Sequence, residues 1–136
     1  MDEKLEQQLF EKYPTIFPGG RNVDPKQSLI CFGLEVGDGW FKLIDKLCED
    51  ILKCDGGDKV VCVQLKEKFG GIRFYINGAP EEVHDLIMKA ERDSFKICET
   101  CGEKGKLDEI KGWMVTICEK CKDKRLKETN SRGGDT

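Results

Sequence analysis

The sequence contains a single histidine, His84, and no apolar run approaching the roughly 20 residues needed to span a bilayer. Because that histidine lies among acidic neighbours on a predicted helix, Ser-His-Asp and Cys-His catalytic sites are disfavoured, as are histidine-containing ββα-metal nucleases. The charged start Met1-Asp2-Glu3-Lys4 has no apolar signal core, so no secretory segment is predicted. These absences favour a cytoplasmic protein with no membrane partner.

A strong positive charge is also missing, since the formal net charge is −3 at pH 7. Residues 96–136 hold ten Lys+Arg against eight Asp+Glu, a net charge of +2. Residues 1–95 hold 13 against 18, a net charge of −5. Electrostatic attraction therefore contributes little to non-specific binding of nucleic acid.

The hydrophobic patterns predict an α+β fold in which a small antiparallel sheet packs on two main helices. The main helix has an apolar stripe that begins at Trp40 and includes Leu47. The predicted elements are a helix over 2–12, extended chain over 28–36, a helix over 40–54, strands over 60–65 and 72–76 with a hairpin loop over 66–71, and a helix over 81–95.

Eight cysteines in a chain without an export signal favour metal over disulfides, because four of them form two Cys-x-x-Cys pairs. The pairs are Cys98 with Cys101 and Cys118 with Cys121. Their spacing predicts three segments: an α+β domain over 1–95, a four-cysteine zinc finger over 96–128, and a disordered tail over 129–136. A redox role is less favoured, since no βαβ pattern surrounds the pairs.

Between the two pairs, short strands are predicted at 106–110 and 113–117, and a helix-prone segment follows Cys121. Knuckle, hairpin and helix in this order indicate a treble-clef or ribbon-like finger. The four thiolates would bind one Zn²⁺ ion. Four protein ligands leave no position for water, so the zinc is expected to be structural.

The other cysteines, Cys31, Cys48, Cys54 and Cys62, are isolated and are expected to be buried free thiols; a second metal site is the alternative.

A partner-binding surface is predicted at the hairpin loop, where charged residues and an aromatic accompany two glycines. Phe69 would be the apolar anchor and Arg73 a charged clamp. Its predicted members are Lys66, Glu67, Lys68, Phe69 and Arg73, with Asp38 and Trp40 as an extension. For the loop, the alternative is a solvated hairpin whose glycines serve the turn. For Trp40, a place in the core is favoured over a place in a pocket beside the loop.

Two further features support other functions. A basic run in 120–127 could contact phosphates, although such a run is more often a solvated helix face. Asp58, Gln64 and Lys66 loosely match the spacing of a metal-dependent nuclease core, but the second acid is missing.

Four segments together resemble a group of small uncharacterised proteins of bacteriophages and bacterial mobile elements: GDGWFKLIDKLC, VQLKEKFGGIRFYI, CETCG and GWMVTICEKC. The resemblance covers roughly residues 30–121. It implies a phage-related origin in the bacterial cytoplasm and a protein that binds a host component, such as a defence or transcription factor. It carries no catalytic residue to this chain.

The function predicted from the sequence is that of a non-enzymatic, zinc-containing protein that binds a host protein. A nucleic-acid-binding zinc-finger module is one alternative. A metal-dependent nuclease or hydrolase with an unrecognised acidic site is the other.

Overall fold

A computed structural model describes the backbone of residues 1–134 and the side chains of residues 1–128. It confirms the α+β class, with four α-helices and two two-stranded antiparallel sheets among the described residues. In chain order the elements are α1 (Glu3–Lys12), α2 (Phe41–Lys53), β1 (Cys62–Lys68), β2 (Gly71–Ile76), α3 (Glu81–Ser94), β3 (Lys106–Ile110), β4 (Trp113–Ile117) and α4 (Glu119–Gly134).

Helix α1 begins where the sequence predicts, because the Asp2 carboxylate accepts the backbone N–H of Lys4. Its buried face holds an unexpected carboxylate, that of Glu6. The Arg21 guanidinium and the backbone N–H of Leu34 both donate to it, the latter at 2.8 Å. This ion pair ties the loop before α2 to the first helix, and a charge so buried is tolerated only when paired.

Helix α2 supplies the centre of the main core, as its apolar stripe predicts. Ile44, Leu47, Cys48 and Ile51 are buried on it, while Leu52 at its edge is 39% exposed. The same core receives Leu65 from β1 and Val83 from α3. A 3-10 turn over Asp38–Trp40 leads into the helix.

Replacing Leu47 by alanine is expected to lower the free energy of unfolding by about 2–5 kcal/mol, because a fully buried leucine leaves a cavity. Leu52→Ala on the same helix is the matched control and should cost less than about half as much. Denaturant unfolding of both variants measures the difference. Equal midpoints for Leu47→Ala and the parent would contradict the assigned core.

The first sheet is the predicted hairpin, but its loop is shorter than expected. Strand β1 continues through Lys68 and pairs with Gly71, so that only Phe69 and Gly70 form the turn. Their φ values of 53° and 85° match a type I′ turn, whose twist suits adjacent antiparallel strands. Lys66, Glu67 and Lys68 therefore belong to a strand.

The prediction of extended chain over 28–36 is wrong for most of that segment. Residues Leu29–Phe32 form a 3-10 helix, and Ser28 caps it by accepting the N–H of Ile30. Gly33 then reverses the chain at a φ of 87°, and only Glu35 forms a bridge with β1, at Lys66. The local serine cap outweighs the β-forming tendency of the apolar residues.

A second, smaller cluster surrounds the cysteine-rich segment and includes Ile110, Ile117 and Leu126. Strands β3 and β4 have the bounds that the sequence predicts, closed by Lys111 and Gly112 with φ values of 52° and 84°. Helix α4 continues to Gly134, so the backbone of the first six residues of the predicted tail is helical. Residues 135 and 136 lie outside the described residues.

Candidate metal centre and partner surface

The first cysteine pair lies on a tight knuckle after α3. The backbone N–H of Gly102 donates to Cys98 O at 2.9 Å, and Cys98 N–H donates to Glu103 O at 2.8 Å. Gly102 has a φ of 83°, a conformation that glycine adopts without strain. The knuckle buries Cys98 completely and leaves Cys101 exposed.

The second pair is placed by the hairpin and the helix that follows it. Cys118 comes directly after β4, and Cys121 lies in the first turn of α4. The backbone N–H of Cys121 donates to Cys118 Sγ at 3.4 Å, so the helix start faces the sulfur atoms. The positive end of the helix dipole favours thiolate there.

The four sulfur atoms converge, as the spacing predicts. All four Sγ atoms lie within 4.8 Å of one another, and Cys101 Sγ is 3.7 Å from Cys118 Sγ. A tetrahedral ion with metal–sulfur bonds of about 2.3 Å requires sulfur separations near 3.8 Å. The separation of 3.7 Å also exceeds the roughly 2.05 Å of a disulfide. The cluster therefore fits a metal ion.

The environment of the cluster separates the thiol pKa values. Burial raises the pKa of Cys98, but backbone N–H groups of Cys101, Cys118 and Thr100 outweigh it and lower the value to about 7. Burial and the neighbouring thiols raise the pKa of Cys121 to about 12. Thiolates packed this closely repel one another, and a bound cation would offset that repulsion, as it does in a thiolate metal site.

The remaining cysteines lie outside the cluster. Cys48 and Cys62 are buried, and burial is the main cause that raises the pKa of each. Cys31 and Cys54 are half-buried, which corrects the expectation that all four would be buried. Within residues 1–128 the finger cysteines are the one group of three or more potential metal ligands that the structure brings together.

The Gly37–Trp40 segment holds the knuckle against the main core. Gly37 N–H donates to Glu99 Oε2 at 2.9 Å, and Gly39 N–H donates to Glu99 O at 2.7 Å. A Cβ atom on Gly39 would overlap Cys98 O, so the close approach of the two backbones requires glycine. The segment therefore has a structural use inside the chain.

Trp40 and Asp38, predicted as an extension of the partner surface, are both engaged within the chain. Trp40 has no exposed surface, and its indole N–H donates to Ile97 O at 2.9 Å. Asp38 is exposed and accepts the N–H of Asp2 at 2.7 Å. Because a fully buried side chain offers no contact area, Trp40 cannot belong to the predicted partner surface.

The turn at Phe69 is a second docking point of the finger. Thr116 Oγ1 donates to Gly70 O at 2.6 Å, and a Cβ atom on Gly70 would overlap Leu107. On the other side of the turn Gly70 N–H donates to Glu67 Oε2 at 2.7 Å. The two glycine-rich segments of the sequence therefore both pack against the finger, and no feature of the sequence indicates this.

Phe69 itself stays outside these contacts and is 68% exposed. Lys68 is also exposed, and its Nζ lies 5.7 Å from the centre of the Phe69 ring. Lys66 and Glu67 are half-buried. Arg73, predicted as a clamp, is paired with Glu91 of α3, so its charge is already compensated.

The residues behind the alternative functions are more dispersed. Of the basic run, Lys122 pairs with Asp108 at 2.7 Å, while Lys120, Lys124 and Lys127 are exposed. His84 is exposed on α3, and Asp58 is exposed in a short 3-10 helix.

No protein-family model matches the chain, and no curated protein and no solved structure shows significant similarity to it. In the described part of the chain, none of the helices has both the length and the apolar composition that crossing a bilayer requires.

Proposed function

We propose that this protein is a non-enzymatic binding module in which one structural Zn²⁺ ion orders the finger, and that its target is another protein. The order of knuckle, β3–β4 hairpin and α4 supports a treble-clef-like finger. The ion is held by Cys98, Cys101, Cys118 and Cys121, and four thiolates leave no coordination position for catalysis. Zinc suits this site better than harder cations, because thiolate is a soft ligand.

The exposed turn at Phe69 is the observation that carries the binding function. An aromatic residue at a positive φ is strained, and position 69 of a type I′ turn favours asparagine or glycine. The side chain gains no burial in return, since it is 68% exposed. Phe69 therefore lowers both stability and solubility in the free protein, and contact with a partner offsets this cost.

The surrounding contacts make this turn a rigid platform. Glu67 bonds the N–H of Gly70 and Thr116 of the finger bonds its carbonyl, so the backbone of the turn that presents Phe69 is held from both sides. Preorganisation of this kind reduces the entropy lost on binding. Lys66, Glu67 and Lys68 form the polar rim beside it, while Arg73 joins β2 to α3 through its ion pair with Glu91.

The class of partner follows from charge and from the resemblance to phage proteins. The acidic net charge of residues 1–95 favours a protein over a nucleic acid. The resemblance adds that the target is a host protein, such as a component of defence or transcription, in the bacterial cytoplasm. The nucleic-acid alternative would place contacts on Lys120, Lys124 and Lys127 of α4 instead.

Replacing Phe69 by asparagine is expected to raise stability and to weaken binding. Asn-Gly is the preferred type I′ sequence, so the free energy of unfolding should increase by about 0.5–1 kcal/mol. Loss of the aromatic anchor should weaken the partner at least about tenfold. Denaturant unfolding measures the first effect; quantitative affinity capture from a bacterial lysate, followed by titration of the captured protein, measures the second.

Phe32→Asn is the matched control, because Phe32 is 65% exposed and lies in a different element, the 3-10 helix Leu29–Phe32. It should leave capture unchanged. Undiminished binding by Phe69→Asn would refute the proposed surface. Loss of capture only after charge reversal of Lys120 and Lys124 would instead support a nucleic-acid contact.

A further inference from the structure

A second exposed apolar area lies at the turn end of the finger hairpin, and Phe69 is not among the residues that line it. Trp113 is 76% exposed, more than any other large apolar side chain of the described residues, and Met114 beside it is 38% exposed. Both line a groove of about 430 Å³. The charged residues of the groove are Glu67, Glu99, Lys111 and Arg125.

Trp113 does not belong to either buried cluster of the described residues. It pairs with Ile110 next to the Lys111–Gly112 turn, and that turn needs no aromatic residue in its closing pair. Ile110 is 7% exposed, so the small core of the finger is closed without Trp113. Trp113 and Met114 are adjacent in the sequence and both exposed, and contiguous exposed apolar surface of this kind often marks an interaction site.

The backbone beside the groove limits what can cover it. Strand β4 is an edge strand, and Thr116 O already accepts the N–H of Glu99 at 3.0 Å. Alternate residues of a strand direct their backbone N–H and C=O groups away from the paired strand. Besides Thr116, only Met114 of β4 does so. One open residue cannot support a long added strand. An extended peptide is therefore a poor occupant, and contact through side chains is favoured.

The groove carries a positive charge at one end of β4 and carboxylates at the other end. Lys111 lies at the turn end, and Glu99 lies at the other end, where it bonds Thr116. Glu99 and Glu67 each use Oε2 to accept a backbone N–H of their own chain. Arg125 is already engaged within the chain.

We propose that the occupant is a second copy of this chain, which docks groove to groove about a two-fold axis. Antiparallel alignment of the two β4 strands brings Lys111 of each copy toward the Glu67 and Glu99 end of the other. The apolar Trp113 and Met114 then meet near the axis. A patch with opposite charges at its two ends is complementary to itself under this symmetry, and cyclic dimers are the commonest assemblies.

A partner that carries charge of only one sign would fit this groove poorly. A polyanion would meet two carboxylates in the groove, and a basic peptide would meet Lys111. Glu67 borders both surfaces, but Phe69 does not line the groove, and Trp113, Met114 and Lys111 are not part of the proposed partner surface. The two proposals can therefore fail separately.

The test combines sedimentation velocity with acrylamide quenching of the metal-loaded full chain, from about 1 µM to about 200 µM. The chain has two tryptophans, and Trp40 is fully buried, so quenchable fluorescence reports on Trp113. We expect a monomer–dimer equilibrium in which quenching falls as the dimer forms. Trp113→Ser should weaken association at least about tenfold, and Met88→Gln, which changes an exposed residue of α3, should not.

Lys111→Glu supplies a second readout, because it changes charge without removing the apolar patch. The parent dimer should weaken with added salt, whereas the variant should start at least about tenfold weaker and gain affinity as salt screens its repulsion. A monomer with fully quenchable Trp113 throughout the concentration range would overturn the proposal. So would a dimer that neither substitution affects, or binding of RNA or a peptide in the groove by a chain that stays monomeric.

Discussion

Replacement of Cys98 by serine is expected to release the metal and to cost more stability than any other single change considered. Folding energies associated with structural zinc are on the order of 10 kcal/mol, which is comparable to the whole stability of a small domain. The finger has little core of its own, with three buried residues in its cluster. Metal content should fall from about one equivalent to well below it, as measured by atomic emission.

The loss should extend beyond the finger, because the knuckle is bonded to the main core. Glu99 accepts two N–H groups from the Gly37–Gly39 segment, and Ile97 accepts the indole N–H of Trp40. If the knuckle unfolds, these partly buried hydrogen bonds are lost, at about 0.5–1.5 kcal/mol each. Thermal unfolding followed at Trp40 should therefore shift to lower temperature along with the finger.

Cys54→Ser is the matched control, since Cys54 is half-buried and lies outside the metal cluster. It should retain the metal and nearly all of the stability. Adding a chelator to the parent protein should reproduce the Cys98→Ser behaviour. Stoichiometric zinc in a variant that lacks all four finger cysteines would reject the ligand assignment.

Replacement of Trp40 by alanine is the second large effect, with an expected loss of about 3–5 kcal/mol in the free energy of unfolding. The ring is fully buried, and its N–H group is bonded to Ile97 O at 2.9 Å. Trp40→Phe should retain much of the packing and lose the hydrogen bond, which leaves the Ile97 carbonyl without its donor and costs about 1–3 kcal/mol relative to a satisfied site.

The other tryptophan gives a control of identical chemistry. Trp113→Ala removes the same atoms from a site that is 76% exposed, so monomer stability should change by less than about 0.5 kcal/mol. Unfolding in urea at a concentration that keeps the chain monomeric makes the comparison. Equal losses for the two variants would show that Trp40 is not the link between the core and the finger.

The sequence predicts best those features that depend on local chemistry. The spacing of Cys98, Cys101, Cys118 and Cys121 encodes the cluster, because a two-residue gap suffices to direct two sulfurs at one ion. The β3–β4 hairpin follows from short β-prone runs around Gly112. Helix α2 follows from a long apolar stripe, which is the most dependable kind of helical pattern.

Features that depend on distant residues could not be predicted. Glu6 looks like a surface residue until Arg21 and the Leu34 N–H compensate its charge. The glycines at 37, 39 and 70 indicate that something approaches the backbone closely, but not whether it belongs to the same chain or to a partner. This ambiguity explains why the sequence allows Trp40 either a core position or a place on a partner surface; the structure places it in the core.

The long-range bonds of the finger also set the order in which the protein folds during synthesis. The hydrogen bond of Gly37 requires Glu99, which lies 62 positions later in the chain, and that of Gly70 requires Thr116, 46 positions later. At roughly 5–20 residues per second, the first of these pairs cannot form for roughly 3–12 s after Gly37 is added. Until then the Trp40 region lacks the hydrogen bonds that Ile97 and Glu99 provide. The metal cluster, whose last cysteine is Cys121, is therefore expected to be completed late in folding.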